Sequence, residues 1–270
     1  MMVSSHIKRW ITALVAVPAL FSLIYFGSFP VFCALIVAAI LLGVHEYNEM
    51  AFGEGHLWEK AEGLIIALLI AWSFYLIDLQ LIMAVIIFSF FTAFFTYTVR
   101  ITSPTFDILP VAKVVFGFLY IPATMSHFML IRNSTQGILW IFFILFLAFA
   151  GDVAAYYVGR TWGKRKLLPL VSPGKTVEGT VGLFAGSVIG CVAFQQFFFP
   201  ELSVIHAAFI GFFGSVIGQL GDLCESAIKR ASGFKDSGSL LPGHGGILDR
   251  LDCLIFIAPF VYYYKIFIIK

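Results

Sequence analysis

The chain has 270 residues, of which 60% are hydrophobic and 12% are charged, and its formal net charge at pH 7 is +2. A soluble domain carries about 25% charged residues, so this composition excludes an ordinary soluble protein. It predicts an all-α, polytopic integral membrane protein, and we expect no nucleic-acid partner.

Nine apolar runs approach the length of about 20 residues that a helix needs to cross a bilayer. In chain order, the predicted spans are Trp10–Phe26, Phe29–Val44, Gly63–Ile77, Leu79–Val99, Ile108–Ile131, Gly137–Val158, Val181–Phe199, Ser203–Leu220 and Leu251–Ile268. The tight connections at Gly27-Ser28 and at Asp78 are also compatible with re-entrant hairpins, so eight or ten helices remain open. The first run follows basic residues, as in a signal peptide, but it lacks a small-x-small cleavage site. We therefore expect an uncleaved first helix.

The basic residues predict the orientation, because cytoplasmic loops carry the excess of lysine and arginine. With a cytoplasmic N-terminus and nine alternating spans, only Arg132, Lys265 and Lys270 fall on the far side. We therefore expect a protein of the cytoplasmic (inner) membrane whose active site faces the cytoplasm. The four cysteines form no CxxC pair, so neither structural zinc nor disulfides are expected.

The polar residues are distributed unevenly along the chain. Residues 1–150 are mostly apolar, and we expect them to form a scaffold with a dimer or lipid-groove surface. Residues 151–270 hold nearly every polar cluster and are expected to form the catalytic region. In the first part, the segment from His45 to Glu49 reads HEYNE at the end of the second predicted span. It is either a solvated helix terminus or one part of a site at the membrane surface.

The first polar cluster of the second part runs from Asp152 to Glu178. Asp152 and Tyr156 are one helical turn apart, so we expect them on one face. The polar residues that follow include Arg160, Lys164, Arg165, Lys166, Ser172, Lys175 and Thr176. Hydroxyls, a cation and a glycine before a helix N-terminus suit a phosphate group, whereas Pro169 excludes a GxxxxGK[ST] loop. Anchoring to lipid headgroups is the alternative for the basic residues.

The second cluster, from Asp222 to Asp252, contains five carboxylates and four basic residues around a Pro-Gly-His-Gly-Gly turn. If the eighth span continues as a helix, one face carries Asp222, Glu225, Ser226 and Lys229. Asp249 and Asp252 recur at i, i+3 as the ninth span begins. Two acid-bearing helix ends can close on one or two divalent ions, and ion pairs that only cap the helices are the alternative. His244 is a general acid, a phosphate contact or a turn residue.

These residues together resemble the signature of the phosphatidate cytidylyltransferases, also called CDP-diacylglycerol synthases. The resemblance covers Ser226–Arg230, Lys235–Gly238, Leu241–Gly246 and Asp249–Asp252, and upstream Asp152–Tyr156, Gly159-Arg160, Gly163-Lys164, Ser172–Thr176 and Glu178-Gly179. It is weaker over the first 150 residues, where it rests on apolar helices, Lys8-Arg9 and Glu46-Tyr47. Two departures affect packing rather than polar groups: Cys224 replaces a bulky apolar residue, and Leu183 replaces a glycine.

The resemblance implies an enzyme that transfers CMP from CTP to phosphatidic acid, giving CDP-diacylglycerol and pyrophosphate in phospholipid biosynthesis. It also implies a Mg²⁺ ion, K⁺ as a candidate second ion, a homodimer and contact with membrane lipid. The implied metal ligands are Asp222 and Asp249. The implied catalytic residues are Asp222, Lys229, Arg230, Lys235, Asp236, His244, Asp249 and Arg250. The expected cofactor-binding residues are Lys164, Ser172, Lys175, Thr176 and Glu178.

Two other functions stay open at this point. A transporter of an anionic metabolite or a divalent cation would place polar groups near the bilayer midplane, often in repeated halves. Here the polar groups collect at one predicted face, and the sequence contains no fixed repeat. The other function is CTP-dependent transfer to a different lipid, such as a polyprenol or an ether-linked phosphatidate analogue.

Overall fold

The structure, a computed structural model, describes residues 17–240 and 245–269. The longer helices are α1 (Val17–Phe26), α2 (Phe29–Phe52), α3 (Leu57–Tyr75), α4 (Leu79–Thr98), α5 (Leu109–Tyr120), α8 (Gly137–Trp162), α9 (Val177–Phe198), α10 (Val204–Ala231) and α11 (Leu248–Tyr264). Shorter elements are α6 (Pro122–Met125), α7 (His127–Asn133), strands β1 (Lys166–Leu168) and β2 (Ser172–Thr176), and a π-helix over Lys265–Ile269. The predicted all-α class is confirmed.

Seven helical stretches within the described ranges are long and apolar enough to cross a membrane. They are Phe29–Phe52, Leu79–Thr98, Leu109–Asn133, Gly137–Trp162, Val177–Phe198, Val204–Ala231 and Leu248–Ile269. The predicted number of nine is therefore approximate. The first predicted span lies partly outside the described residues, and its described part, α1, is a shorter apolar helix. The predicted span Gly63–Ile77 corresponds to α3, which carries Glu59, Lys60 and Glu62 in its first turns.

Several helices continue beyond the apolar run that predicted them. Helix α2 extends to Phe52 rather than Val44 and ends at Gly53, whose φ of 63° lies in the region that glycine adopts without strain. Helix α10 extends to Ala231 rather than Leu220. An apolar run marks the part of a helix that can cross the membrane. The hydrogen bonds of the helix backbone do not require apolar side chains, so both helices continue through the polar residues that follow.

The chain divides into two compact units. The first contains the described residues up to Leu130 together with the described part of Phe234–Arg250. In its core, Ile40 of α2 and Ile70 of α3 are fully buried. These units are defined by packing and have other boundaries than the functional regions 1–150 and 151–270. The functional division stays a prediction.

The second unit contains Ile131–Gly233 and the chain from Leu251 onward. Helices α8 and α9 approach closely in it, because α9 presents glycines to the side chains of α8. A Cβ atom at Gly190 would lie 2.6 Å from Ala150 Cβ, and one at Gly182 would lie 2.7 Å from Val158 Cβ. Small residues at such positions allow close packing of membrane helices, and this packing holds the C-terminal end of α8 against the beginning of α9.

We expect Gly190→Val to destabilise the second unit. The added side chain would meet Ala150, and overpacking of this kind costs about 1–3 kcal/mol. The measurement is the midpoint of thermal unfolding in detergent. Ala185→Val adds apolar bulk to an exposed position of the same helix and should leave the midpoint unchanged. Equal midpoints for both variants would contradict the close packing.

Candidate active site

The second unit contains a cavity of about 400 Å³, within the range of about 300–1,000 Å³ that is usual for small-molecule sites. Helices α8, α9 and α10 and strand β2 contribute to its lining. Its polar lining residues are Asp152, Tyr156, Arg160, Lys175, Thr176, Thr180, Gln219 and Asp222. We call this space the aspartate cavity. Because it carries both carboxylates and cations, it can accept a ligand that itself combines anionic groups with metal ions.

An ion pair joins the two polar clusters that the sequence predicted separately. The Lys175 ammonium group contacts Oδ2 of the Asp222 carboxylate, and both side chains are only partly exposed. The Ser226 hydroxyl donates to Oδ1 of Asp222 at 3.4 Å. The structure therefore brings the predicted nucleotide-binding lysine to a predicted metal ligand, although the two residues are 47 positions apart.

Lys175 is held by a two-stranded hairpin rather than by the loop that the sequence predicted. Strands β1 and β2 pair antiparallel, with Lys166 opposite Thr176 and Leu168 opposite Ser172. The Thr176 side chain caps α9 by accepting from the Gly179 amide at 3.1 Å. The hairpin thus leads directly into the N-terminus of α9, where the helix dipole favours negative charge.

Glu178 and Lys164 stabilise the base of this hairpin. The Glu178 carboxylate accepts hydrogen bonds from the backbone amides of Lys164 at 3.0 Å and of Arg165 at 3.2 Å. The Lys164 side chain is exposed. These contacts give Glu178 a local role in holding the hairpin, while nucleotide binding by Glu178, Lys164 and Ser172 stays a prediction.

Tyr156 and Arg160 form a pair on the cavity side of α8. The Arg160 guanidinium donates to the Tyr156 hydroxyl at 2.6 Å, and its Cζ lies 5.9 Å from the centre of the ring. The sequence predicted a shared face for Asp152 and Tyr156, and both side chains line the same cavity. The contact orients the guanidinium along the wall of the aspartate cavity.

The remaining polar residues of α10 make contacts of their own. Helix α10 continues through Lys229, which meets the condition under which the sequence placed Asp222, Glu225, Ser226 and Lys229 on one face. The Lys229 ammonium group pairs with the Glu225 carboxylate, and Lys229 is only 9% exposed. Arg230 Nε donates to the Val171 carbonyl at 3.3 Å, which ties the end of α10 to the segment between β1 and β2. Catalytic roles for Lys229 and Arg230 stay predictions.

Two further polar residues belong to this site: Asp252, which the sequence placed at an acid-bearing helix end, and Gln219, which the sequence did not single out. Asp252 of α11 lies within electrostatic range of Asp152, Asp222 and Lys175. Gln219 is 8% exposed and lines the aspartate cavity as well as a smaller one of about 20 Å³. Its Nε2 atom has no hydrogen-bond partner among the described residues. An isolated glutamine in an apolar helix forms no sequence motif, so only the fold identifies it.

The first unit holds the other part of the predicted signature. Oδ2 of Asp249 accepts from the backbone amides of Ser237 at 3.0 Å and Gly246 at 2.8 Å. The Ser237 hydroxyl donates at 2.8 Å to the carboxylate of Glu46, which is buried in α2. Glu46 is therefore not part of a solvated helix terminus, which was one of the two interpretations of the His45–Glu49 segment.

The other predicted residues of this unit lie on the surface or outside the described ranges. Lys235, Asp236 and Arg250 are exposed, and His244 lies outside the described residues. Asp222 and Asp249 belong to different units, so their shared metal site stays a prediction. Across residues 17–240 and 245–269, no group of three or more His, Cys, Asp or Glu side chains is arranged to hold a metal ion.

Comparison with known proteins places these residues in a family context. The model of the cytidylyltransferase family matches residues 7–267. A phosphatidate cytidylyltransferase of Bacillus subtilis strain 168 is 43% identical over 169 residues, which is 62% of each chain. One from Staphylococcus haemolyticus is 42% identical over 154 residues, 57% of this chain and 56% of the relative.

A further relative is the uncharacterized protein YnbB of Escherichia coli K12. It is 38% identical over 174 residues, 63% of this chain and 58% of that protein. In each of these three comparisons, the matched region spans less than two thirds of the relative's length.

Proposed function

This chain belongs to the cytidylyltransferase family, and from that premise we propose that it transfers the CMP moiety of CTP to phosphatidic acid. The products would be CDP-diacylglycerol and pyrophosphate, as in phospholipid biosynthesis. The observation that carries the proposal is the aspartate cavity, where carboxylates and cations converge between apolar helices. The relatives named phosphatidate cytidylyltransferase support phosphatidic acid as the acceptor.

The proposed reaction needs no protein nucleophile. A phosphate monoester has a second pKa of about 6, so phosphatidic acid is already largely ionised at neutral pH. One of its phosphate oxygens would attack the α-phosphorus of CTP. The bond from that phosphorus to the oxygen bridging to the β-phosphate breaks, and pyrophosphate leaves with the electron pair. The protein must mainly overcome the repulsion between two anions.

Cations of the second unit would reduce this repulsion. Lys175 and Arg160 both line the aspartate cavity, and each is oriented by a partner: Asp222 for Lys175, and Tyr156 for Arg160. An oriented cation stabilises charge developing in the transition state without reorganising during the reaction. The N-terminus of α9, capped by Thr176, adds a favourable dipole at the same wall.

The carboxylates suit a Mg²⁺ ion. This ion prefers oxygen ligands and is usually bound by one or two carboxylates together with substrate phosphates. We propose that Asp222 holds it, with Asp152 as a second carboxylate of the same cavity. When bound, Mg²⁺ would neutralise charge on the triphosphate oxygens. Asp249 as a further ligand, and K⁺ as a second ion, are proposals that rest on the family resemblance.

Gln219 would contact the nucleotide directly. Its side chain is buried, lines the cavity beside Asp222 and leaves a hydrogen-bond donor without a partner among the described residues. Buried polar groups usually have such partners, and a bound acceptor atom would supply one. An amide donor can serve either a phosphate oxygen or a carbonyl group of the base.

We expect Gln219→Leu to lower kcat/KM for CTP by roughly ten- to hundredfold, because a hydrogen bond to a charged group contributes about 1.5–3 kcal/mol. Steady-state kinetics at saturating phosphatidic acid would measure the loss. Gln195→Leu is the matched control: Gln195 is also a buried glutamine of the second unit with an amide atom lacking a partner among the described residues, but it does not line the cavity. Equal losses in both variants would contradict a nucleotide contact.

The membrane setting of the proposal follows from the substrates. The diacyl tails of phosphatidic acid stay in the bilayer while CTP is dissolved in the cytoplasm. We propose that the protein lies in the cytoplasmic membrane with the hairpin Lys166–Thr176 on the cytoplasmic side, as its basic residues favour. We also propose a homodimer, which the family resemblance implies.

The experiment that tests the function supplies purified protein with CTP and one acceptor lipid at a time. Phosphatidic acid should give a lipid-extractable nucleotide only when Mg²⁺ is present, and a polyprenol should give little. Preference for the polyprenyl acceptor would show that the enzyme acts on a different lipid from phosphatidic acid. Uptake of an anion into sealed vesicles with intact CTP would instead favour a transporter.

A further inference from the structure

Glu46 is a buried carboxylate that accepts three hydrogen bonds from one distant segment. It lies in α2 and is 6% exposed. Its Oε1 atom accepts from the Ile247 amide at 2.9 Å, and its Oε2 atom accepts from the Leu248 amide at 2.9 Å. Oε2 also accepts from the Ser237 hydroxyl at 2.8 Å. A residue of a predicted scaffold helix therefore binds the chain where the signature segment enters α11.

The same hydrogen bonds continue to Asp249. The Ser237 hydroxyl that donates to Glu46 also accepts from the Asp249 amide at 3.2 Å. In return, the Ser237 amide donates to Oδ2 of Asp249 at 3.0 Å. Glu46, Ser237 and Asp249 thus form a continuous network within the first unit, and the position of Glu46 constrains the position of the Asp249 carboxylate.

The chain packs tightly around Glu46. A Cβ atom at Gly238 would lie 2.6 Å from Oε1 of Glu46, and a Cβ atom at Gly246 would also lie 2.6 Å from Oε1. Both glycines let the backbone approach the carboxylate. The carboxylate also lies at the N-terminus of α11, where negative charge is stabilised by the helix dipole and where charge-assisted hydrogen bonds are stronger than neutral ones.

We propose that Glu46 is a positioning residue that fixes the segment carrying Asp249 and thereby the orientation of the Asp249 carboxylate toward its metal ion. This inference rests on the proposed function, in which Asp249 is a ligand of Mg²⁺. Glu46 acts through Ser237 and the backbone rather than on the substrate. Residues that orient metal ligands in this way typically contribute 10- to 100-fold to metal affinity or activity.

The substitution Glu46→Gln tests the inference with little change in size. The carboxylate accepts hydrogen bonds from two backbone amides. The NH₂ group of the introduced glutamine is itself a donor, so it would face one of these amides without forming a hydrogen bond. In the full chain in detergent, hydrogen exchange at residues 245–249 should become at least about tenfold faster. The dissociation constant of Mn²⁺, a paramagnetic substitute for Mg²⁺, and the Mg²⁺ concentration for half-maximal activity should each rise by roughly 10- to 100-fold.

The matched control is Glu49→Gln, which removes a charge one turn further along the same helix. Glu49 is exposed and pairs with Lys60, so exchange at residues 245–249 and both metal measurements should match the wild type. Hydrogen exchange in α8 and α9 should stay unchanged in both variants. That result would separate a local effect at Glu46 from general unfolding.

The outcomes distinguish this inference from the proposed function. Unchanged exchange in Glu46→Gln would overturn the anchoring of the segment. Faster exchange with an unchanged Mn²⁺ dissociation constant would overturn the positioning of Asp249. If the wild type formed no liponucleotide, the proposed function would fail, while exchange and Mn²⁺ binding would still decide the role of Glu46 without reference to turnover.

Discussion

Asp222→Asn should lower kcat at least about a hundredfold while leaving the protein folded. The substitution keeps the size of the side chain and a group that can accept from Ser226, but it removes the charge that faces Lys175. The exposed fractions of the Lys175 and Asp222 side chains are 22% and 31%. An ion pair with such access to solvent contributes only about 0–1 kcal/mol to stability. A large loss of activity would therefore reflect the chemistry of the site rather than unfolding.

The measurement for Asp222→Asn is liponucleotide formation across a Mg²⁺ titration, together with the thermal midpoint. Asp222→Glu, which keeps the charge but moves it by one methylene, should recover part of the activity at raised Mg²⁺. Near wild-type turnover in Asp222→Asn would remove this residue from the proposed metal site. Loss of folding in both variants would instead assign it a structural role.

Lys175→Met should lower kcat by roughly a hundred- to a thousandfold. Removing one preorganised group that stabilises transition-state charge costs about 2.7–4 kcal/mol in other enzymes. Lys175 is such a candidate group, because its side chain lines the aspartate cavity. Methionine preserves the length and the apolar stem of the side chain. The kinetic constants for CTP and for phosphatidic acid would show which substrate has lost its partner.

Lys166→Met provides the contrast for Lys175→Met. Lys166 belongs to the same hairpin and carries the same charge, but it is exposed and does not line the cavity. We expect less than about a threefold change in kcat. If both variants lost activity equally, the hairpin would act through its total positive charge at the membrane surface, and the specific contact with the reacting phosphates would be wrong.

The membrane fold was largely predictable because hydropathy determines which segments can cross a bilayer. The apolar run that predicted α10 ends at Leu220, so the continuation through Lys229 was only a condition for placing Asp222 and Glu225 on one helix face. The β1–β2 hairpin was not predicted, since Ser172–Thr176 contains proline and glycine, which are depleted in strands. Its pairing depends on Lys166–Leu168, a segment with no alternating pattern of its own.

The candidate site was predictable only in part. Charged residues in an apolar sequence identified Asp222 and Lys175, but their contact depends on how α10 meets the hairpin. Glu46 lies 191 positions from Ser237, so no local pattern could reveal their hydrogen bond. The candidate role of Gln219 is apparent only from the cavity that its side chain lines. In each unit, the long-range partners of single polar residues are therefore what the sequence does not disclose.

The proposed reaction breaks the bond between the α-phosphorus of CTP and the oxygen that bridges to the β-phosphate, and it transfers the CMP fragment to the lipid. Purified protein, phosphatidic acid and Mg²⁺ would be supplied with CTP carrying ³²P at either the α- or the γ-phosphate, followed by lipid extraction. We predict that the α-label enters the lipid fraction as CDP-diacylglycerol and that the γ-label is released as pyrophosphate. Transfer of the γ-label to lipid, or retention of both labels in intact CTP, would contradict the proposed reaction.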